Sequence, residues 1–235
     1  MNEETTVPPI TFDILFDDAY FIAINKPKNI LVHRTRISED TVFVLQLLRN
    51  QMGHHVYPIH RLDRPTSGVL LFGKTQEAAS QLSALMRNKT IHKKYLGVVR
   101  GFLNESGTID YPLVTKEHLP AQEAITHYKN LGQVEKDFHV NRYPTSRYSL
   151  LEITLDTGRR HQIRRHFAHF RHPIIGDKRH GDCKHNKYFT EELGIERMLL
   201  HAKEMTFMHP FTKVSVSISA PLDETFLALC DWFVE

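Results

Sequence analysis

One segment concentrates residues that can do chemistry. The run His60-Arg61-Leu62-Asp63-Arg64-Pro65-Thr66-Ser67-Gly68 sets a single carboxylate between two guanidinium groups. A carboxylate so placed can serve as a nucleophile or as a base. The same run is rich in turn formers, so Asp63 could equally do no more than shape a bend. A second segment is strongly basic: from Gly158 to His172 there are five arginines, four histidines and no acid. Read as a helix, it turns Ile163, Phe167 and Phe170 to the core and puts Arg160 and Arg164 on another face, one turn apart. Arginine pairs bidentately with carboxylates and phosphates. One of these guanidiniums could therefore reach Asp63 while the others hold a phosphate backbone; a solvated basic helix would look the same. In a third segment, Lys93-Lys94-Tyr95, the tyrosine opens an apolar strand. Its ring could stack on a base and its hydroxyl could exchange a proton, or the residue could simply pack in the core.

His166, His169 and His172 recur every three residues. They are not read as metal ligands, because no Cys, Asp or Glu stands beside them and their neighbours are cationic. Capping, hydrogen bonding or phosphate contact suits them better. Cys183 and Cys230, the two cysteines, make neither a disulfide framework nor a zinc site and read as reduced thiols of a cytoplasmic protein.

The elements that must carry these groups follow from pattern. The chain has 235 residues, 41% of them hydrophobic and 24% charged, with a net charge of +3. That is enough apolar material for a sizeable core, and too mild a charge to establish nucleic-acid binding by itself. Strands are expected at 12–16 and 21–25, around Asp17 and Asp18. A helix over 41–52 has Val42, Leu45, Leu48 and Met52 at helical spacing. Strands at 56–62 and 69–72 flank the Asp63 turn, and Thr75 caps a helix running to Arg87. Further strands are expected at 95–102, 125–128, 148–155, 199–207 and 214–219, and helices at 161–170 and 223–233. Segments 114–123 and 133–146 read as polar surface loops. Strands outnumber helices without regular alternation, which predicts an α+β fold with a mixed sheet. Residues 1–11 read as a tail and 12–235 as a single domain. No apolar stretch approaches the roughly 20 residues that span a bilayer, and the N-terminus lacks the pattern of a signal peptide.

Together the segments are more specific than any one alone. Asn25-Lys26-Pro27, then His60 to Gly68, then Lys93 to Tyr95, then Gly158-Arg159-Arg160-His161-Gln162-Ile163-Arg164 occur in that order. So do Arg142 to Tyr148, and His172 to Asp177 with His180-Gly181-Asp182. This pattern resembles the pseudouridine synthase family typified by the dual-specificity rRNA and tRNA synthase, and the likeness covers nearly the whole chain. The resemblance implies one catalytic domain around a long, mixed, mainly antiparallel sheet with a central cleft. No separate N-terminal RNA-binding domain is expected, since the catalytic pattern begins near residue 12. It implies Asp63 as the catalytic aspartate, Tyr95 as the active-site tyrosine and Arg164 as the arginine that salt-bridges the aspartate. Arg61 is implied to help displace the target nucleotide. His60, Arg64, Thr66, Arg160, His161 and Gln162 complete the expected RNA- and substrate-binding set. Relatives usually carry a glycine shortly after Asn-Lys-Pro, where this chain has Lys28 and Asn29; asparagine tolerates the left-handed conformation that such a turn needs.

The implied reaction detaches the base of a uridine from its ribose through nitrogen, turns it and rejoins it through carbon. No redox change or phosphoryl transfer occurs, so no cofactor and no metal are expected. The carboxylate could attack the ribose, add to the ring or take a proton from the sugar, and the sequence leaves all three open. The expected partner is RNA, most closely the T-stem of tRNA beside the acceptor stem (uridine-65), with no membrane and no obligate protein partner. An rRNA site or another tRNA position is the alternative within the class. A non-catalytic RNA-binding factor and a two-carboxylate glycoside hydrolase are the alternatives outside it; the second lacks a nominated second acid.

Overall fold

The computed structural model describes residues 10–34, 41–115, 117–140 and 142–234. Residues 1–9 of the expected tail lie outside these. A hairpin-like pair comes first, β1 (Ile14–Asp17) against β2 (Phe21–Lys26). Asp18 Oδ1 accepts the N–H groups of Tyr20 and Phe21 at 2.7 Å and makes the turn between them. Helix α1 (Val44–Met52), the short β3 (Tyr57–Pro58), β4 (Ser67–Gly73) and α2 (Gln76–Arg87) follow. Thr75 caps α2 by accepting the Ala78 N–H at 3.1 Å, as its position predicts.

The second half contributes β5 (His92–Arg100), β6 (Ser106–Asp110), β7 (Ile125–Lys136) and β8 (Ser146–Leu155). Then come α3 (Gln162–His169), α4 (Cys183–Glu191), β9 (Leu200–Met208), β10 (Ser215–Ser219) and α5 (Glu224–Cys230), which continues as a turn of 3-10 helix. Among the described residues the strands form one sheet in the order β1-β2-β4-β9-β5-β8-β7-β6, with β3 on β4 and β10 on β9. Every pairing is antiparallel except β4 with β9. The α+β expectation therefore holds, as does that of a mixed, mainly antiparallel sheet.

Alternation along the strands sorts the core. Ile22, Ile24, Leu70, Phe72, Tyr95, Val99, Leu151 and Ile153 face one way and meet α1 and α3 through Val44, Leu48, Ile163 and Phe167. On the opposite face, Phe21, Ala23, Val69 and Leu71 meet α2 through Ala78 and Leu82. Farther along that face, Val98, Tyr148 and Leu150 meet α4 and α5 through Phe189, Phe226 and Leu229. A fully buried phenylalanine such as Phe167 is worth about 3–5 kcal/mol against truncation to Ala.

The structure departs from the pattern reading at several places. Helix α1 starts at Val44, so Val42 is exposed and Val44 takes the core position beside Leu48. Of the expected strand at 56–62 only Tyr57–Pro58 pairs. Residues 133–136 belong to β7 instead of a loop, because their backbone pairs with β8 although their side chains alternate toward solvent. Phe170 is exposed: α3 ends at His169, and Phe170 leaves the helical phase as its C-cap. Among the described residues no helix is long and apolar enough to cross a membrane.

Candidate active site

The Asp63 loop hangs from the start of β4, where β4 and β9 meet in parallel at only Ser67↔His201 and Gly68↔Ala202. Gly68 has φ +110°, and a Cβ there would lie 2.2 Å from the Ala202 carbonyl oxygen. Only glycine permits that approach. Inside the loop, the Thr66 N–H donates to the Asp63 carbonyl at 3.0 Å and closes a tight turn. Lys26, at the end of β2, is buried beneath it. Its ammonium donates to the carbonyls of Pro27 (2.9 Å), Arg64 (3.1 Å) and Thr66 (2.8 Å), which uses all three N–H groups. Burial pushes Lys26 down to about 7, against the attraction of Asp63. Asn29 sits at φ 64°, the left-handed conformation expected where relatives have glycine.

Helix α3 brings the partner groups. His161, also left-handed at φ 55°, precedes the helix and turns the chain into it. Gln162 is buried and fully engaged. Its amide nitrogen donates to the Ile125 carbonyl (2.9 Å) and to Thr126 Oγ1 (3.1 Å), and its oxygen accepts from Thr157 (2.8 Å) and the Arg159 N–H (2.9 Å). In the first turn of the helix, Arg164 NH1 donates to Asp63 Oδ2 at 2.9 Å. The other edge of its guanidinium grips Asp177 through Nε (2.7 Å) and NH2 (2.8 Å). Burial disfavours the Arg164 charge, but its bonds to Asp177 and Asp63 more than offset this and hold it above its usual value. Asp177 is opposed by burial in the same way, and the Arg164 guanidinium holds its carboxyl below the usual carboxylate range.

Asp63, Arg164 and Tyr95 line one open cavity of about 900 Å³, with Arg61, Arg160 and His161 also on its wall. Tyr95 is 8% exposed. A bulge displaces the β5–β9 register between Lys94 and Tyr95 and re-aims that side chain. Burial, then the charge of Asp63, pushes the Tyr95 hydroxyl well above its ordinary value, so it stays protonated. His161 Nε2 lies 3.8 Å from Asp63 Oδ1, and its Nδ1 lies 2.9 Å from His180 Nε2.

Not every expected site residue falls in the cavity with a free functional group. Arg64 points away: its Nε donates to the Asn29 carbonyl at 3.2 Å, on an exposed surface. His60 is on the wall, but its Nε2 accepts the Leu71 N–H at 3.2 Å and burial pushes it down to about 3, which ties it to β4 as a neutral ring. Gln162 is committed within the fold, and Thr66 is buried with its carbonyl on Lys26. Arg160 is exposed and precedes α3, so it shares no helix face with Arg164. Of the three histidines, His166 is buried between Thr126 Oγ1 and the Tyr111 carbonyl, each at 2.9 Å. His169 stacks on Tyr111 with centroids 3.9 Å apart, and His172 bonds the Arg100 carbonyl at 2.9 Å. Asp177, Lys26 and His180 join the site although the residue patterns did not assign them roles. The signal was in Asn25-Lys26-Pro27 and in the run from His172 to Asp182.

The family model for RNA pseudouridylate synthase matches residues 20–169, a span that contains Lys26, Asp63, Tyr95 and Arg164. The chain is 46% identical over 232 residues to tRNA pseudouridine synthase C of Vibrio parahaemolyticus, covering 94% of both. It is 46% identical over 235 residues to the Pasteurella multocida protein of the same name, covering 95% of this chain and 97% of that one. Among solved structures, human RNA pseudouridylate synthase domain containing 1 superposes with a TM-score of 0.73 at 20% identity, covering 90% of this chain and 84% of that one. Human RNA pseudouridylate synthase domain containing 4 gives 0.71 at 23% identity, covering 93% and 92%. Those two show the fold. The chain belongs to the RNA pseudouridine synthase family.

Proposed function

We propose that this chain isomerises uridine to pseudouridine in tRNA, at the T-stem uridine beside the acceptor stem, with Asp63 as the catalytic carboxylate. The observation that carries the reading is the Asp63–Arg164 contact of 2.9 Å at the wall of an open cavity, between residues 101 positions apart. The tRNA substrate is supported by relatives named for tRNA that match almost end to end. In the reaction the N1–C1′ bond breaks, a C5–C1′ bond forms, and the proton lost from C5 is balanced by one gained at N1. Arg164 aims Asp63 through Oδ2 and leaves Oδ1 open to the cavity. The ring of Tyr95 walls the base, and its protonated hydroxyl is available for hydrogen bonding or proton exchange. A paired uridine must leave its stack to enter, which costs a few kcal/mol. Exposed Arg61 is placed at the wall to fill the space left behind. Arg160 and its basic neighbours supply phosphate contacts, which makes binding salt-sensitive. We place this activity in the cytoplasm, where reduced Cys183 and Cys230 would be at home.

The test is Asp63→Asn in the full chain with mapping of pseudouridine in tRNA. The variant should fold normally and form no product. Product at the wild-type rate would remove Asp63 from catalysis, and product only in rRNA or at another tRNA position would move the substrate assignment.

A further inference from the structure

The two oxygens of Asp63 are held unequally. Oδ2 accepts from Arg164 at 2.9 Å, whereas Oδ1 has His161 Nε2 before it at 3.8 Å. Behind His161 stands His180, with Nε2 2.9 Å from His161 Nδ1. One of these two nitrogens must donate and the other accept. If His161 donated from Nδ1, its Nε2 lone pair would point at a carboxylate already rich in electron density. If His180 donates, His161 turns an N–H toward Oδ1 instead, and only this arrangement is attractive at both ends.

The clamp has a common root. Asp177 Oδ1 accepts the backbone N–H groups of Arg179 (2.9 Å) and His180 (3.0 Å), while the same carboxylate grips Arg164. One buried acid thus fixes the guanidinium that reaches Oδ2 and the backbone of the histidine that orients the ring near Oδ1. His161 itself sits at a left-handed φ of 55°.

Resting on the pseudouridine synthase reading, we propose that His180 sets the tautomer of His161, so that His161 presents Nε2–H to Asp63 Oδ1 and both histidines act as positioning residues for the reaction. The charged and titratable groups acting on His161 are Asp63, Arg164, His180 and Arg160; those acting on His180 are Asp177, Arg164, Arg179 and Arg165. Burial lowers both imidazoles, which keeps the pair neutral.

Two measurements test it. Long-range proton–nitrogen spectra of the full chain with labelled histidine, assigned by comparison with His161→Gln, should show His161 as the Nε2–H tautomer near neutral pH. An Nδ1–H tautomer overturns the proposal, whatever the enzyme's substrate proves to be. In steady-state assays on a tRNA transcript, His180→Phe should lower kcat about tenfold with KM unchanged, and His180→Gln, which restores an N–H donor, should recover most of the loss. Equal rates for Phe and Gln overturn it as well. The spectrum of the unsubstituted chain decides the tautomer even if His180→Phe fails to fold. Absence of pseudouridine from the unsubstituted enzyme would sink the functional reading alone.

Discussion

Replacing Arg164 by Met should separate its structural role from its chemical one. The guanidinium makes two bonds to Asp177, whose side chain is 1% exposed, and one to Asp63, whose side chain is 21% exposed. Its loss leaves a carboxylate buried without its counter-charge, and breaking a buried pair in this way costs about 3–5 kcal/mol. The lost bond to Asp63 adds less stability, because that group is partly solvated. A domain near the middle of the usual range of about 5–15 kcal/mol absorbs this and still folds at room temperature. Urea denaturation should therefore give a lower midpoint with an unchanged slope. Adding Asp177→Asn removes the stranded charge while keeping an oxygen for the N–H groups of Arg179 and His180. The double variant should regain most of the lost stability and none of the pseudouridine formation, since nothing then holds Asp63. The reasoning fails if Arg164→Met is as stable as the wild type, or if the double variant recovers activity.

Tyr95→Phe keeps the ring and removes the hydroxyl; with proton exchange at stake, kcat should fall by roughly 100-fold or more with little change in KM, and an unaltered kcat would take the hydroxyl out of the reaction. Arg160→Ala should weaken tRNA binding at low salt and reduce the slope of log affinity against log salt by about one; an unchanged slope would mean no phosphate contact. Acid should destabilise the fold through His201, which is 1% exposed and pushed by burial from 6.5 to about 4. Its folded form binds fewer protons than the unfolded chain between those values, so stability rises with pH there and falls as pH drops. For this ring alone the linkage gives a loss of about 2 kcal/mol at pH 5 relative to neutral, readable by urea titration as the difference between the wild type and His201→Gln at the two pH values; the same pH dependence in both would show that this ring is not held neutral.

Much of this architecture could be read from residue order. The hairpin at Asp18, the Thr75 cap and the Asn29 turn rest on local chemistry that sequence displays directly. Where tertiary pairing outweighed local pattern, reading failed. The strand at 133–136 exists because β8 supplies backbone partners, and Val134, half-buried against the core, is the one apolar side chain that announces it. Helix α4, which the residue pattern did not predict, fully buries little beyond Phe189, so its periodicity is faint; its start is fixed by Asp182, which caps it through the Lys184 and His185 N–H groups. At the site, motif order singled out Asp63, Tyr95 and Arg164 without showing which neighbours had committed their polar groups elsewhere. Gln162, His60 and Arg64 carry suitable groups that the fold has already engaged. Asp177 was hidden for the opposite reason: it never reaches the cavity and acts only by holding what does.

The parallel junction of β4 with β9 has a mechanical side. Strands β4 and β9 share two register positions, against six between β2 and β4 and six between β5 and β9. Asp63 hangs from one flank of this narrow waist and Arg164 from the other, so their ion pair is also a rivet across it. Prying the flanks apart strains the bond that aims the carboxylate, and tightening that bond draws the flanks together. Stiffness at the waist and alignment of the carboxylate proposed to react are thereby linked.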